Sequence, residues 1–277
     1  MKQKIKASET EQQQPLKALI AQLVQAYAPL QIYQFGKLTK KEQVNSVFCK
    51  AKRQMQRTYY LLMLTDGSEA IESDVQDFAD RAFAVAKVIV QVHGQATLLK
   101  HLNHRNGYFA SVMNQGKLCY TVPGVAEISG LQQPNPKRRL GRAIVHWRNR
   151  SQMANGFFAA AEQAITHGHD HAGVFLLHQA VEQICMGLIF VFMDYQPRLR
   201  NLDRLLYLCA CFSSKPLNHF CLNKENEMLL KMMMGSVSRQ CDEKDFSFDG
   251  RIVNVVELVG GFLKLGKGLC EVYFREG

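Results

Sequence analysis

Acidic residues are missing from two stretches of this sequence. None occurs between Glu42 and Asp66, and none occurs from residue 129 to residue 150. Enzymes that use Mg²⁺ on phosphates need clustered carboxylates, because hard oxygen ligands hold the metal in place. Neither stretch offers such a cluster.

The sequence also lacks a Cys-x-x-Cys pair. Its eight cysteines fall mostly within apolar segments, which favours buried free thiols over disulfides. Cys209 and Cys211 lie two positions apart on a predicted helix, where they point to different faces and do not converge with His219 on one ion. We therefore expect neither a metal site nor a cofactor.

No long apolar run is free of polar residues. The most apolar segment, residues 174–193, contains His178 and Glu182, and a carboxylate at the centre of a membrane span is costly. We expect a buried helix and no membrane partner. The N-terminal lysines are followed by no apolar stretch, unlike those of a secretory signal, so we expect a cytoplasmic protein.

Positive charge is concentrated in the first half of the chain, which has a net charge of +10 overall. Residues 1–128 carry 16 basic and 10 acidic side chains, residues 129–150 carry 6 and none, and residues 151–277 carry 12 and 14. An anionic partner is attracted to the first two regions. The alternative is that both are simply solvated basic segments.

Strand and helix patterns alternate in the first part of the chain. Strands are predicted at 31–36, 58–65, 87–93 and 117–122, and helices at 16–27, 71–86 and 97–115, after a polar tail at 1–14. This order indicates an α/β domain over residues 1–128.

A basic linker and a helical bundle are predicted to follow. Residues 129–141 hold two prolines, two glycines and a basic triplet, so residues 129–146 are assigned to a linker. Residues 147–277 have helical patterns at 147–166, 169–194, 201–212, 222–237 and 250–274, typical of an up-and-down bundle. The predicted fold class is α+β with two domains.

The start of the first domain resembles a minimal nucleotidyltransferase domain. The resemblance rests on a helix, the segment Ile-Tyr-Gln-Phe-Gly ending at Gly36, a basic insert and the strand at 58–64. In that family a Phe-Gly-Ser turn holds the nucleotide triphosphate, and the next strand carries two aspartates that bind Mg²⁺.

The residues that would hold this metal are replaced. Lys37 takes the serine position, Thr58 and Tyr60 take the aspartate positions, and Gln91 and His93 stand where a further carboxylate is expected. Phosphoryl transfer relies on the charge of the bound metal, so the resemblance implies a degenerate, noncatalytic domain. An unrelated α/β domain is the alternative.

A basic group surrounds the insert between the first two strands. Its members are Lys37, Lys40, Lys41, Lys50, Lys52, Arg53 and Arg57. Lysine and arginine bind phosphates without a bridging cation, so we predict nucleotide or RNA phosphates at Gly36, Lys37, Arg53 and Arg57. A mobile solvated loop is the alternative. No aromatic stacking pattern accompanies this group, so sequence-specific reading of RNA is not indicated.

The second domain resembles HEPN domains, which are helical bundles linked to nucleotides and RNA. The resemblance is carried by Leu177-His178-Gln179-Ala180-x-Glu182, by Asn201-Leu202-x-x-Leu205-Leu206 and by Ser236-x-Ser238-Arg239. It implies a homodimer paired through the bundle and nucleotide binding that involves His178, Glu182, Arg200 and Arg239. A buried structural pair of His178 with Glu182 is the alternative for those two residues.

The chain departs from the HEPN ribonucleases. Their Arg-x(4–6)-His motif has one formal match, Arg139 to His146, which falls in the predicted linker rather than in a late helix. Arg239 is not followed by a histidine at the required spacing, and Arg200 and Gln240 replace a histidine and a tyrosine typical of the family. The sequence therefore predicts no catalytic residues.

These observations predict a noncatalytic protein that binds a nucleotide or RNA. The resemblance places it in a toxin–antitoxin or defence system. One alternative is a ribonuclease that uses Arg139, Arg200 or Arg239 with His146 or His178. The other is a structural module that binds a partner protein.

Overall fold

The computed structural model describes the backbone of residues 2–46, 49–67, 71–236 and 250–276, and their side chains except those of residues 2–13 and 40–55. The chain divides into two compact units, residues 1–133 and residues 134–277. The first unit combines a mixed sheet with helices, and the described part of the second is helical. The predicted α+β fold class is therefore confirmed.

The first unit is built on a four-stranded sheet with the order β3-β2-β1-β4. The strands are β1 (Gln31–Ser46), β2 (Cys49–Thr65), β3 (Lys87–Gly94) and β4 (Lys117–Thr121). β2 pairs in parallel with β3, whereas β1 is antiparallel to both of its neighbours. Strand alternation makes the two faces of this sheet chemically distinct.

Helices α1 (Lys2–Tyr27) and α2 (Glu72–Ala82) cover one face of the sheet. The apolar residues of β2 and β3 that point to this face meet those of the two helices in one buried cluster, which includes Leu19, Leu23, Leu61, Met63, Val75, Val88, Val90 and Val92. Burial of such side chains is the main stabilising term of the unit.

Gln76 of α2 bonds to the backbone of β3, which has a strand on only one side. Its side-chain amide donates to the Val88 carbonyl at 2.8 Å and accepts from the Val90 amide at 2.9 Å. One buried side chain thus bonds to two backbone groups of this strand.

The second unit packs around one central helix. Its helices are α5 (Pro136–Thr166), α6 (Asp170–Met193), α7 (Leu202–Cys209), α8 (Lys215–Phe220), α9 (Lys224–Gly235) and α10 (Ile252–Glu276). Every residue of α6 from 180 to 189 is buried. Of the helices in the described ranges, α6 alone is long and apolar enough to cross a membrane, and 78% of its apolar window is buried inside the protein. That burial is typical of a core helix, and the cytoplasmic location stays a prediction.

Helices α5, α6 and α10 approach closely at Trp147. A Cβ added at Gly187 of α6 would lie 2.8 Å from the Trp147 ring, and one added at Gly266 of α10 would lie 2.6 Å from Ile184 and 3.3 Å from Trp147. Both glycines are therefore needed for this packing.

Several predicted boundaries are wrong. Helix α5 begins at Pro136 instead of residue 147, so residues 136–146 are helical rather than a linker. Asn135 caps this helix by accepting from the Arg138 amide at 3.2 Å, and proline is favoured at the first helical position. The N-terminal segment predicted as a tail belongs to α1.

One predicted helix is divided. The helix predicted at 97–115 is α3 (Gln95–Asn103) followed by α4 (Gly107–Gln115), because Arg105 has a φ of 51° and Asn106 caps α4. The helix predicted at 222–237 is found as α9, and the short α8 before it was not predicted as a separate helix.

Candidate phosphate-binding sites

The positions predicted to have lost their carboxylates lie on one face of the sheet. Thr58, Tyr60, Gln91 and His93 alternate with the residues that face α1 and α2, so they point to the opposite face. All four are buried. The register of β2 against β3 therefore brings together positions that the sequence comparison had treated strand by strand.

Aromatic side chains fill that face. Phe35 contacts Tyr60 and Tyr108 with ring centroids 5.9 and 5.6 Å apart, and His93 meets Phe109 of α4 edge to face at 5.0 Å. Burial, with a smaller effect of nearby His101, lowers the pKa of His93 to about 4. Across the described residues, no three His, Cys, Asp or Glu side chains are grouped to hold a metal. This face is a packed core without the oxygen ligands that Mg²⁺ requires.

Gly36 and Lys37 lie within a strand rather than at its end. The register of β1 against β2 shifts between Gln34 and Gly36, and Lys37 then pairs with Tyr59. The Lys37 ammonium lies 5.7 Å from the centre of the Tyr59 ring. The expectation that the strand ends at Gly36 is therefore wrong, since a β-bulge lets β1 continue to Ser46.

Beyond this bulge β1 pairs with β2 alone among the described strands. β4 pairs with residues 31–34 and β3 with residues 58–65, so residues 37–46 of β1 and 49–57 of β2 form a two-stranded ribbon that begins at the edge of the sheet. The basic insert was considered as a solvated loop, but its backbone is paired as antiparallel strands.

The register divides the charges of this ribbon between two faces. Thr39 pairs with Arg57, Lys41 with Met55 and Gln43 with Arg53. Since paired residues share a face and alternate residues repeat it, one face holds the positions of Lys37, Lys41, Arg53 and Arg57. We call these four positions the basic face. The acidic Glu42 belongs to the opposite face together with Lys40 and Lys52.

In the second unit, two arginines converge on one turn of α6. The Arg150 Nη1 of α5 donates to the Gln183 Oε1 at 2.6 Å. The Arg200 Nη1, from the segment before α7, lies 3.6 Å from the Glu182 Oε1. The sequence pattern indicated Glu182 and Arg200 but not Arg150. The available signal for Arg150 was its position four residues after His146, on the same face of a helix.

Burial dominates the electrostatics of this turn. It raises the pKa of the Glu182 carboxyl above its usual value, and the attraction of Arg200 and Arg150 only partly offsets the effect. Burial also lowers the pKa of Arg150, with a further contribution from Arg200.

His178 lies on the same helix, and the structure shows no hydrogen bond or ion pair between it and Glu182. Its Nδ1 lies 3.3 Å from the Gln179 Nε2, and burial lowers its pKa to about 4. Glu182 instead has Arg200 as its ion-pair partner. Arg239, the remaining predicted site residue, lies outside the described residues, and of Arg53 the structure gives only the backbone position.

Arg139 and His146 pack against the last turns of α6. The Arg139 Nη2 donates to the Phe192 carbonyl at 3.0 Å. The His146 ring stacks on Phe190 with centroids 4.0 Å apart, and burial together with Arg150 lowers its pKa to about 4. Both side chains thus have structural contacts in a seam between α5 and α6.

The predicted free thiols are found at each cysteine whose side chain the structure describes. Cys185 and Cys209 are fully buried, and the Cys209 Sγ donates weakly to the Cys185 carbonyl at 3.9 Å. Burial raises the pKa of Cys209 well above its ordinary value and that of Cys211 to about 11, so these two thiols are poor nucleophiles at neutral pH.

Comparison with known proteins does not assign this chain to a family. No family model and no curated protein matches the chain. A crystal structure of a nucleotidyltransferase-like protein from Exiguobacterium sibiricum is similar over 93% of this chain and 79% of that chain, with 12% sequence identity and a TM-score of 0.31. A TM-score of this size assigns neither a family nor a function.

Proposed function

We propose that this protein binds RNA through its phosphate backbone without cleaving or modifying it. The basic face of the β1–β2 ribbon is the binding surface. One observation carries the proposal: the register places Lys37, Lys41, Arg53 and Arg57 on one face and the acidic Glu42 on the other.

The geometry of the basic face favours a linear polyanion over a single small anion. Its four positions alternate between the two strands, and successive positions lie two residues apart along the ribbon. At about 3.3 Å per residue, successive backbone positions are about 7 Å apart along the ribbon, and the four span about 20 Å. A row of cations at such positions neutralises several phosphates of one nucleic-acid strand at once.

The absence of catalysis is supported by the filling of the sheet. The face that would carry a metal and a nucleotide in a nucleotidyltransferase is occupied by Phe35, Tyr60 and Tyr108. Arg139 and His146, the residues of the ribonuclease alternative, are engaged in the seam between α5 and α6.

The test is the salt dependence of RNA binding. Each phosphate contact on a single strand contributes about −0.7 to the slope of log K against log salt, so four contacts give about −3. The double variant Lys37→Gln/Arg57→Gln should reduce this slope to about −1.5. It should also weaken binding of a labelled single-stranded RNA in fluorescence anisotropy.

The matched control is Lys40→Gln/Lys52→Gln, which removes the same charge from the opposite face of the ribbon. An equal loss in both variants would mean that only net charge matters, and the proposed surface would be wrong. Duplex DNA and heparin serve as comparison ligands, and stronger binding of either would replace RNA as the partner.

Incubation of the protein with mixed RNA separates binding from cleavage. Intact RNA with or without Mg²⁺ supports the proposal. Metal-independent cleavage that is lost in His146→Ala or His178→Ala would establish the ribonuclease instead.

A further inference from the structure

Arg150 and Arg200 are anchored on adjacent residues of α6 but come from separate elements. Arg150 reaches Gln183 from α5, and Arg200 reaches Glu182 from the segment that precedes α7. Two guanidinium groups are thereby held beside one carboxylate, which leaves one net positive charge at this turn.

Most hydrogen-bond donors of the two guanidiniums are not used inside the protein. Each guanidinium has five N–H donors. Among the described residues, the partner of Arg150 is Gln183, and the 3.6 Å separation of Arg200 from Glu182 exceeds an ordinary hydrogen-bond distance. The Arg200 side chain is 58% exposed, whereas that of Glu182 is 7% exposed. The remaining donors can therefore serve a ligand that arrives from solvent.

The backbone around both arginines is fixed by packing. Arg150 lies one helical turn after Trp147, and its own Cβ is 3.3 Å from the position of a Cβ added at Gly187. Arg200 directly precedes Asn201, which caps α7 by accepting from the Arg204 amide at 3.2 Å. Arginines whose backbone is already held in place lose less conformational entropy when they bind a ligand.

We propose that Arg150 and Arg200 together bind a phosphate monoester group in the second unit. Planar guanidinium forks match the oxygens of phosphate and bind them in bidentate fashion. The Glu182 carboxylate weakens binding of the ligand, because it competes with the phosphate for Arg200. The site does not use the basic face, so its failure would leave the RNA proposal intact.

Three probes distinguish the sources of such a group: inorganic phosphate, AMP, and an RNA oligonucleotide with a 5′-phosphate compared with its 5′-hydroxyl form. Since the basic face is proposed to bind RNA of either form, isothermal titration with the full chain should detect binding of inorganic phosphate or AMP, or tighter binding of the 5′-phosphorylated RNA than of its 5′-hydroxyl form. Binding of both inorganic phosphate and AMP means that the phosphate alone is recognised. A preference for the 5′-phosphorylated RNA over its 5′-hydroxyl form assigns an RNA end, and both results support the site.

Substitutions give the decisive contrast. Arg200→Gln, at an exposed side chain, should weaken binding about tenfold or more, and Arg150→Gln should do the same. Glu182→Gln should strengthen binding, which a purely structural role would not produce. Arg148→Gln, at an exposed position of α5 two residues from Arg150, is the matched control and should have no effect.

The proposal is overturned if no probe binds at millimolar concentration, if Arg148→Gln weakens binding as much as Arg200→Gln, or if Glu182→Gln weakens it. Circular dichroism of each variant checks folding. Since Arg200 is exposed and is not part of the core, its variant keeps the test valid even if Arg150→Gln fails to fold.

Discussion

Burial sets the protonation state of three histidines in this chain. The pKa values of His93, His146 and His178 are each lowered to about 4, in every case chiefly because the ring is removed from water. All three are therefore neutral at physiological pH and pack as polar aromatic groups. For His178 this favours the structural alternative over direct charge pairing with a phosphate.

Glu182→Gln should stabilise the second unit at pH 7. Burial holds the pKa of this carboxyl in the folded protein above its ordinary value of 4.5. The folded state therefore favours the protonated carboxyl, and the stability associated with it is complete below the pKa of the unfolded chain and is lost as the pH rises through the pKa of the folded chain. Glutamine keeps the shape and removes the buried charge. The urea midpoint, followed by fluorescence of Trp147, the single tryptophan, should rise more at pH 7 than at pH 4.

Glu271→Gln provides the reference for this measurement. Glu271 is 51% exposed and lies 3.9 Å from Lys267 on the same helix, an arrangement that contributes little to stability. Its substitution should leave the midpoint unchanged. A fall in the midpoint of Glu182→Gln at pH 7 would show that the ion pair with Arg200 outweighs the cost of burial.

At the scale of elements, the contact of α5 with α6 depends on the absence of a side chain at Gly187. A methyl group there would lie 2.8 Å from Trp147, and overpacking of this kind costs about 1–3 kcal/mol. We expect Gly187→Ala to lower the free energy of unfolding by that amount in urea denaturation followed by circular dichroism.

Gly156→Ala is the matched substitution, because Gly156 lies on α5 and a Cβ added there meets nothing within 4 Å. Alanine is a better helix former than glycine by about 0.5–1 kcal/mol, so this variant should be more stable than the natural chain. Equal effects at the two positions would contradict the close approach at Trp147.

The sequence predicted elements well where burial shaped the pattern. β3 was placed nearly to the residue, since alternating valines and isoleucine mark a buried strand. The ribbon of β1 and β2 beyond Gly36 was missed because its largely polar sequence has no hydrophobic alternation. The start of α5 was missed although Asn135 and Pro136 are a cap and a first-turn proline, because the basic triplet favoured a linker.

For the candidate sites as well, some features could be predicted from the sequence and others could not. Alternation along a strand relates residues of that strand only, so the shared face of Tyr60 and His93 follows from the register of β2 with β3. The sequence also gave no warning that α4 fills that face with aromatic rings. Arg150 and Arg200 are fifty positions apart in the sequence. The packing of α5 on α6 brings Arg150 to the turn of α6 that Arg200 also reaches.

For the whole molecule, the neutral histidines predict a loss of stability in mild acid. The unfolded chain takes up a proton near the ordinary pKa of 6.5, and the folded chain near 4. The stabilisation is therefore complete above about pH 6.5 and falls by about 1.4 kcal/mol per pH unit for each fully buried histidine below it. The urea midpoint reported by Trp147 should fall between pH 7 and pH 5.

His178→Gln should flatten this pH dependence in the second unit. His167→Gln, at an exposed histidine whose Nδ1 lies 2.7 Å from the Gln163 carbonyl, should leave it unchanged. If both variants follow the natural chain from pH 7 to pH 5, the buried imidazole of His178 is not the source of the acid sensitivity.

The homodimer implied by the HEPN resemblance remains a proposal for the whole molecule. Sedimentation velocity should give twice the chain mass of 31.5 kDa at micromolar concentration. The mass of a single chain at every concentration tested would contradict it.

The contact of Gln76 with β3 has a consequence for the behaviour of the protein in concentrated solution. Four of the eight residues of β3 are valine or isoleucine and none is acidic, and an edge strand rich in such residues is prone to pair with copies of itself. The Gln76 amide occupies two of the backbone groups through which such pairing would begin. We therefore expect this one polar side chain on a neighbouring helix to oppose edge-to-edge association.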